Sequence, residues 1–259
     1  MPVMSTVARY KYNDSLSKEQ NVLCSHLCSM RLSQMSQALA EEFTEPNEGL
    51  LTFEERITKV VNQEWEYRDS RKFNKFLKKA GLKYPAADFD TSLYEPDRML
   101  DTVAIERLQT LQFIDEKKNL LISGKSGAGK TYLASALCVE ACHQFYTVKY
   151  TRANRLNLEF EAARANDTYK DQMDKLVSYD LLVIDDFGLM SLDLEKCSDL
   201  FELIESREMR NSTIILSQLP FENWYDLFAD KTYADAIIRR LVAHAYRLEM
   251  NGRDMTQPS

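Results

Sequence analysis

Short apolar runs alternate with helical patterns through the second part of the chain. Four runs predict buried strands: "NLLISG", "TVKYTR", "DLLVIDD" and "STIILSQ". Around them, apolar residues recur every three or four positions, which predicts helices over residues 99–114, 130–145, 153–176, 194–209 and 234–244. Strands that are apolar on both faces and alternate with helices predict an α/β fold, with a parallel sheet covered by helices on both faces.

The first part of the chain predicts helices only. An interrupted apolar stripe covers residues 17–43, and a second helix begins at Thr52, where Glu55 completes a capping box. This second helix can continue to Ala80, before Gly81 and Pro85 end it. Residues 86–97 have the composition of a linker. We therefore predict a small all-α domain over 1–88 and an α/β domain over 89–259.

The overall composition excludes several classes of protein. The chain of 259 residues is 44% hydrophobic and 28% charged, with only 7 Gly and 6 Pro, so collagen-like and largely disordered classes do not fit. No apolar run approaches the ~20 residues that span a bilayer, and Arg9 and Lys11 lie where a signal peptide would be apolar. We expect a cytoplasmic protein without a membrane partner. Its five cysteines are expected to be reduced core residues.

The net charge of −7 is unevenly distributed. Residues 1–88 hold 13 basic and 12 acidic residues, whereas the remainder holds 20 basic and 28 acidic ones. Six basic residues in the N-terminal part share one helical face: Arg68, Arg71, Lys72, Lys75, Lys78 and Lys79. This face predicts contact with DNA phosphates. The alternative is a solvated, lysine-rich surface helix.

A phosphate-binding loop follows the first strand. "GKSGAGKT" fits the pattern G-x-x-x-x-G-K-[ST], and it lies between a predicted strand and a predicted helix, as the P-loop requires. The predicted nucleotide-binding positions are Gly124, Ser126, Gly127, Ala128, Gly129, Lys130, Thr131 and Tyr132. In this motif the lysine reaches the β- and γ-phosphates and the Thr131 hydroxyl binds Mg²⁺. The sequence therefore predicts ATP and Mg²⁺ as ligands.

Two carboxylates end the third predicted strand. Asp185 and Asp186 follow four apolar residues, at the edge of the sheet where α/β proteins bind ligands. We expect Asp185 to coordinate the metal and Asp186 to orient or deprotonate an attacking water. The next strand ends in Ser217 and Gln218, two polar residues that could reach the same edge.

These motifs together resemble the IstB/DnaC-like branch of AAA+ ATPases, and within it the IstB-like helper ATPases of insertion-sequence transposition systems. The segments that carry the resemblance are "LTFEER", "EWEYRDSRKFNKFLKKAGLKYPAA", "NLLISGKSGAGKTYLASAL", "VKYTRANRL", "DLLVIDDFGL", "STIILSQLPFENWYD" and "ADAIIRRLVAHAYRLEM".

The resemblance implies a P-loop AAA+ core with a five-stranded parallel sheet. Because the sequence stops soon after Arg247, we expect no C-terminal helical lid. The resemblance also gives Arg240 the arginine-finger position and Ser217 or Gln218 the sensor position. It implies binding to double-stranded DNA, self-association into dimers and larger rings or spirals, and cooperation with a partner transposase.

Three other functions compete with this interpretation. A DnaC-type replicative helicase loader would share the ATPase core but act on a helicase. A P-loop kinase would need a substrate lid and rarely has paired aspartates followed by a sensor strand. A non-hydrolysing DNA-binding scaffold would bind ATP without turnover.

Overall fold

The computed structural model describes residues 10–45, 51–89, 101–243, 245–250 and 252. The chain divides into two compact units, Met1–Asn74 and Lys75–Ser259. Among the described residues, no helix combines the length and the apolar character needed to cross a bilayer. The predicted linker over 86–97 and the start of the predicted helix at residue 99 lie largely outside the described residues.

The first unit is helical. It contains α1 (Lys18–Ser29), α2 (Ser33–Thr44) and the first part of α3 (Phe53–Ala80). The helix predicted over residues 17–43 is thus two helices, because Arg31 adopts a left-handed backbone conformation with φ of 63°. The capping box at Thr52 is confirmed: Glu55 Oε2 accepts a hydrogen bond of 2.7 Å from the Thr52 N–H.

The boundary between the units falls inside α3, fourteen residues before the predicted one. The last turns of α3 pack within the second unit, where the Phe76 ring lies 5.9 Å from the Phe145 ring and Ala80 is fully buried. Ala87 is also buried. Sequence patterns could not place this boundary, because α3 continues through it without a break.

The second unit is an α/β layer structure. Its helices are α4 (Thr102–Gln109), α5 (Gln112–Asp115), α6 (Lys130–His143), α7 (Ala153–Ala165), α8 (Tyr169–Ser178), α9 (Leu194–Arg207) and α10 (Lys231–Val242). Its strands are β1 (Leu120–Gly124), β2 (Val148–Arg152), β3 (Leu181–Phe187), β4 (Ser212–Ser217) and β5 (Tyr246–Met250), and a 3₁₀ helix spans Phe221–Leu227.

The five strands form one parallel sheet in the order β2-β3-β4-β1-β5. The predicted α/β class and five-stranded sheet are confirmed. The apolar parts of β1, β3 and β4 are fully buried, as their continuous apolar runs predict. β5 has no such run, since Leu248 and Met250 alternate with polar residues, and its position as an edge strand explains that pattern.

Two predicted helices are each divided by a residue with a positive φ. The helix predicted over 99–114 breaks at Leu111 (φ 58°), and the one over 153–176 breaks at Asp167 (φ 56°). Leu111 is fully buried, so its side chain is held in the core although its backbone conformation is unfavourable for leucine. Helical periodicity does not reveal such breaks, because the apolar stripe continues on both sides.

The cysteines agree with the expectation of reduced thiols. All five are free, and four of them, Cys24, Cys138, Cys142 and Cys197, are buried. Burial raises the pKa of the Cys142 thiol to about 11. The four buried cysteines therefore belong to the hydrophobic core.

Candidate nucleotide-binding site

The P-loop connects β1 to α6 at the carboxyl edge of the sheet. Gly127 and Gly129 have φ values of 79° and 87°, a region that side chains with a Cβ rarely adopt. Gly129 is the N-cap of α6, and no side chain caps this helix. The N–H groups of the first turn are thus left for an anion, to which the positive end of the helix dipole also contributes.

Lys130 is folded back onto the loop. Its Nζ donates hydrogen bonds to the carbonyl oxygens of Gly124 at 2.6 Å and Lys125 at 2.8 Å, and the residue is buried. Burial lowers the pKa of the Lys130 amine, and the nearby carboxylates of Asp185 and Asp186 oppose this shift. The two carbonyl oxygens thus accept the hydrogen bonds that phosphate oxygens would accept from Lys130 in a nucleotide complex.

The side-chain oxygens of Thr131 and Asp185 lie within hydrogen-bond distance of each other in the site. The Thr131 hydroxyl donates to Asp185 Oδ2 at 2.9 Å, and the Tyr150 hydroxyl donates to the same oxygen at 2.6 Å. Mg²⁺ in phosphate-transfer sites takes one or two protein oxygens and fills its shell with water and phosphate. The Thr131–Asp185 pair fits that requirement. Among the described residues, no group of three or more His, Cys, Asp or Glu side chains could hold a metal ion alone.

Asp186 lies at an irregularity of β3. Its φ is 57°, and the register of β3 against β4 shifts between Ile184 and Phe187. The Asp186 N–H donates to Asp185 Oδ1 at 2.7 Å. A bulge of this kind redirects a side chain at a functional position, and it places the two adjacent carboxylates in different surroundings.

The structure separates the two sensor candidates. The buried Ser217 hydroxyl donates to the Phe187 carbonyl at 2.7 Å and accepts from the Leu219 N–H at 3.1 Å. Gln218 is exposed, and its side chain has no hydrogen-bond partner within the described part of the chain. The Ser217 hydroxyl is therefore engaged in holding the β4 turn, while the Gln218 amide remains available for a ligand.

Tyr132 contacts the segment that follows α3. Its hydroxyl lies 3.3 Å from Asp88 Oδ1 and accepts from the Asp88 N–H at 3.4 Å, and its ring is 5.9 Å from that of Tyr84. Of the remaining predicted loop positions, Ser126 is exposed and Ala128 is buried.

Arg240 lies away from the P-loop of its own chain. It lines a small cavity with Asn119 and Thr213, which stand at the beginnings of β1 and β4, whereas the P-loop is at the ends of the strands. Its guanidinium contacts Glu205 at 2.9 Å and Glu208 at 3.2 Å. The neighbouring Arg239 is exposed, and its side chain has no ion-pair partner among the residues described.

The predicted basic face of α3 is heterogeneous. In the first unit, Arg68 donates to Glu64 Oε1 and to the Arg31 carbonyl, both at 2.6 Å, and the Arg71 guanidinium lies 5.5 Å from the Tyr67 ring centre. Lys72 is exposed and has an interaction partner. In the second unit, the exposed ammonium groups have no ion-pair partner within the described ranges. They belong to Lys75, Lys78 and Lys79.

Sequence reasoning missed two residues of β2 that contact the paired aspartates. Tyr150 holds Asp185, and Arg152 Nε lies 3.4 Å from Asp186 Oδ2. Tyr150 and then Asp186 are the largest causes that raise the pKa of the Arg152 guanidinium. The sequence contains one indication of this: Tyr150 and Arg152 are two positions apart in "YTR", which puts both side chains on the same face of a strand.

Comparisons with known proteins agree on one family. The family described as IstB-like ATP binding protein matches residues 25–258. An insertion sequence ATP-binding protein of Sinorhizobium fredii is 36% identical over 229 residues, 88% of this chain and 93% of that protein. The IS1162 ATP-binding protein of Pseudomonas fluorescens is 35% identical over 196 residues, 76% of this chain and 85% of that protein.

Solved structures share the fold at low sequence identity. DnaI is similar with a TM-score of 0.52 and 19% identity, over 70% of this chain and 93% of that chain. A primosome component from Streptococcus pyogenes has a TM-score of 0.53 and 18% identity, over 69% of this chain and 96% of that chain.

Proposed function

The chain belongs to the family of IstB-like ATP binding proteins, and from this membership we propose that it is a DNA-binding helper of transposition that couples ATP hydrolysis to assembly on DNA. That it is a transposition-associated ATPase follows from the family and its relatives. The proposal adds that the protein binds DNA, associates with copies of itself and acts together with a transposase. The observation that carries it is the P-loop with Lys130, Thr131 and Asp185 brought together at one edge of the sheet.

Binding of ATP requires Lys130 to rearrange. Its ammonium group leaves the Gly124 and Lys125 carbonyls and takes the β- and γ-phosphate oxygens, while the uncapped first turn of α6 binds phosphate through its N–H groups. Thr131 and Asp185 would hold Mg²⁺, which supplies positive charge to the phosphates when bound.

Hydrolysis then needs a water that is oriented and deprotonated. Asp186 adjoins Asp185 and is partly exposed, so its carboxylate can accept the proton of a water attacking the γ-phosphate. Gln218, at the end of the neighbouring strand, can position the same water or contact the phosphate through its amide. Tyr150 keeps the Asp185 carboxylate oriented toward Thr131.

A second copy would complete the site. Arg240 stands at the opposite edge of the sheet from its own P-loop, so a role at the γ-phosphate has to be played in a neighbouring subunit. A guanidinium supplied in this way stabilises the charge of the transition state. Such a head-to-tail contact repeats, and it forms a ring or a spiral according to whether the rotation closes.

Charge and exposed apolar area support contact with DNA and with a protein partner. Lys75, Lys78 and Lys79 present three adjacent ammonium groups that can bind DNA phosphates. On the first part of α3, four apolar side chains at intervals of four residues are exposed, an arrangement typical of an interaction surface. They are Phe53, Ile57, Val61 and Trp65.

The proposal is favoured over that of a replicative helicase loader. The relatives that cover most of their own length and most of this chain are insertion sequence proteins. The likeness to DnaI is at 19% identity and concerns the fold. A small-molecule kinase is less consistent with paired aspartates beside a sensor strand.

The experiment separates nucleotide binding from hydrolysis. Lys130→Ala should lose ATP binding, because it removes the ammonium group that the P-loop uses to bind the β- and γ-phosphates. Asp186→Asn should bind ATP with wild-type affinity and lose about 10²–10⁴-fold in turnover, the usual contribution of a general base. Nucleotide affinity and ATP hydrolysis, each measured with and without duplex DNA, decide the matter.

The outcomes distinguish the competing functions. Stimulation of hydrolysis by duplex DNA supports the proposal. Binding of ATP without turnover under any condition would instead indicate a scaffold, and stimulation only by small molecules would indicate a kinase. An Asp186→Asn protein that hydrolyses at the wild-type rate would remove Asp186 from the mechanism.

A further inference from the structure

Three side chains beside the P-loop have no part in the hydrolysis steps described above. They belong to Tyr84 and Asp88, on the segment that follows α3, and to Tyr132 at the start of α6. The Tyr84 and Tyr132 ring centres are 5.9 Å apart, with 52° between the ring planes. The Tyr132 hydroxyl donates to Asp88 Oδ1 at 3.3 Å and accepts from the Asp88 N–H at 3.4 Å. Two aromatic rings and a carboxylate thus form one cluster.

This cluster lies on the side of the P-loop that faces away from the expected metal site. The Thr131 side chain points toward β3, where its hydroxyl donates to Asp185. Tyr132, the next residue of α6, is about 100° further around the helix, and its side chain reaches the segment after α3 instead. Because the metal binds the β- and γ-phosphates, the ribose and the base of a bound nucleotide extend toward the other side, where the cluster is.

The cluster has an open aromatic surface and polar groups that a ligand can take over. The Lys83 ammonium lies 5.3 Å from the centre of the Tyr84 ring, yet Tyr84 is 41% exposed, so a planar base can stack on it. Asp88 is exposed, and its N–H and Oδ1 face the same point, since both contact one hydroxyl. Contacts of 3.3 and 3.4 Å are long for hydrogen bonds, so a ligand can replace them at small cost.

An acceptor beside a donor matches the edge of adenine and opposes that of guanine. Adenine presents a 6-amino group, which donates, next to N1, which accepts. Guanine presents O6, which accepts, next to N1–H, which donates. The carboxylate of Asp88 is an acceptor only, so it pairs with the amino group of adenine and repels O6 of guanine.

We propose that Asp88 selects adenine at the ATP site by accepting a hydrogen bond from the 6-amino group, while the Tyr84 ring stacks on the base. The proposal rests on the proposed function only in that the P-loop binds the phosphates of the nucleotide. Asp88 and Tyr84 contact the base and no reacting atom, so they determine specificity rather than chemistry. Tyr132 is a positioning residue that holds Asp88 beside the loop.

The test measures equilibrium binding of three nucleotides to the full-length chain: ATP, GTP and purine riboside triphosphate, which lacks only the 6-amino group of ATP. The wild type should bind ATP about tenfold more tightly than purine riboside triphosphate, and GTP most weakly. Asp88→Ala should bind ATP and purine riboside triphosphate equally, because the partner of the amino group is gone. The matched control is Asp174→Ala, at an exposed aspartate of α8, which should keep the wild-type preference.

Stacking is tested separately from the hydrogen bond. Tyr84→Ala should weaken ATP and purine riboside triphosphate alike, by at least about fivefold, and Tyr84→Phe should bind both as the wild type does. Inorganic tripolyphosphate, which has no base, should bind Tyr84→Ala, Asp88→Ala and the wild type equally. Its binding also shows that the P-loop of each variant is folded.

Two results overturn the selection of adenine by Asp88. In one, the wild type binds ATP and purine riboside triphosphate equally; in the other, Asp88→Ala weakens both by the same factor, as a purely structural role would. If tripolyphosphate binding depends on Lys130 while no preference for adenine appears, the proposed function stands and the selection fails. If Lys130→Ala binds ATP and tripolyphosphate as the wild type does, the P-loop assignment fails, whereas a preference that Asp88→Ala removes still stands.

Discussion

At the scale of single residues, Ser217 and Gln218 illustrate how one position along a strand changes a role. Gln218→Ala should lower kcat by at least about tenfold with little change in ATP affinity, because it removes an amide that acts on the water or the γ-phosphate.

Ser217→Ala should mainly lower stability, by about 1–3 kcal/mol, because it leaves the buried Phe187 carbonyl without its hydrogen-bond donor. Steady-state kinetics and chemical unfolding of both variants check this; a larger kinetic loss for Ser217→Ala would reverse the assignment.

Glu64 makes the stability of the first unit depend on pH. Its carboxylate accepts hydrogen bonds from the backbone N–H groups of Gln34 and Met35 at the start of α2, and from Arg68. Burial raises the pKa of Glu64, but the hydrogen bonds from Arg68, Met35 and Gln34 outweigh it and leave the pKa lowered.

The sign of the effect follows from that direction. A carboxyl whose pKa is lower in the folded state contributes stability above its unfolded pKa of ~4.3, and this contribution disappears as the pH falls through the folded value. Glu64→Gln should therefore destabilise the protein at pH 7, and its difference from the wild type should shrink as the pH falls below the unfolded pKa of ~4.3. Unfolding free energies across this range, with the exposed Glu66→Gln as control, give the test; a constant difference at all pH values would contradict it.

The residues that sequence alone identified are those whose role is local. The P-loop binds phosphate through consecutive backbone groups, so Lys130 and Thr131 carry their function in the motif itself. Tyr150 and Arg152 acquire theirs only when β2 pairs with β3, and Ser217 is distinguished from Gln218 only by the turn after β4. Such roles depend on tertiary neighbours, which no spacing in the sequence specifies.

At the scale of elements, α3 carries basic residues of two kinds: Arg68 makes structural contacts, whereas Lys75, Lys78 and Lys79 form a candidate DNA surface. Changing Lys75, Lys78 and Lys79 to Glu should weaken binding to duplexes of every sequence and reduce the salt dependence of the affinity, since fewer counterions are released. Arg68→Glu should act mainly on stability, because Arg68 binds Glu64 and the Arg31 carbonyl. Titrations at several salt concentrations distinguish them; unchanged affinity of the triple variant at all salts would leave the lysines as solvated surface.

The elements themselves were predictable in type and less so in extent. Continuous apolar runs gave β1, β3 and β4, because strands buried on both faces need apolar side chains throughout. The helix breaks at Arg31, Leu111 and Asp167 were not predictable, since each depends on a single left-handed residue that is not glycine. The position of β5 was not predicted, because its apolar residues Leu248 and Met250 alternate with polar ones and form no continuous run.

At the scale of the whole molecule, the two arginines at the end of α10 offer a test of assembly. Arg240→Ala should bind ATP normally but neither assemble on DNA nor hydrolyse efficiently, with a loss of about 10³–10⁵-fold in kcat for a missing arginine finger. Arg239→Ala is the matched control, one residue away, exposed and without the Glu205 and Glu208 contacts of Arg240.

Sedimentation with ATP and duplex DNA, followed by exchange to ADP, measures the assembly directly. Large particles that form with ATP and dissociate with ADP are expected for the wild type and for Arg239→Ala. The reverse result, in which Arg239→Ala fails and Arg240→Ala assembles, would transfer the role to the exposed arginine. A wild-type protein that hydrolyses fully as a monomer would exclude a shared site.

The order of the strands also determines when, during synthesis, the sheet around β1 can form. The P-loop follows β1, whose neighbours in the sheet are β4 and β5 rather than β2. Leu120 can therefore form its strand pairs only after Ile214 and Tyr246 have been synthesised. At a translation rate of about 5–20 residues per second, the delay until Tyr246 is about 6–25 seconds. During it, the nascent polypeptide contains the whole phosphate-binding motif without the neighbouring strands between which β1 lies in the folded protein.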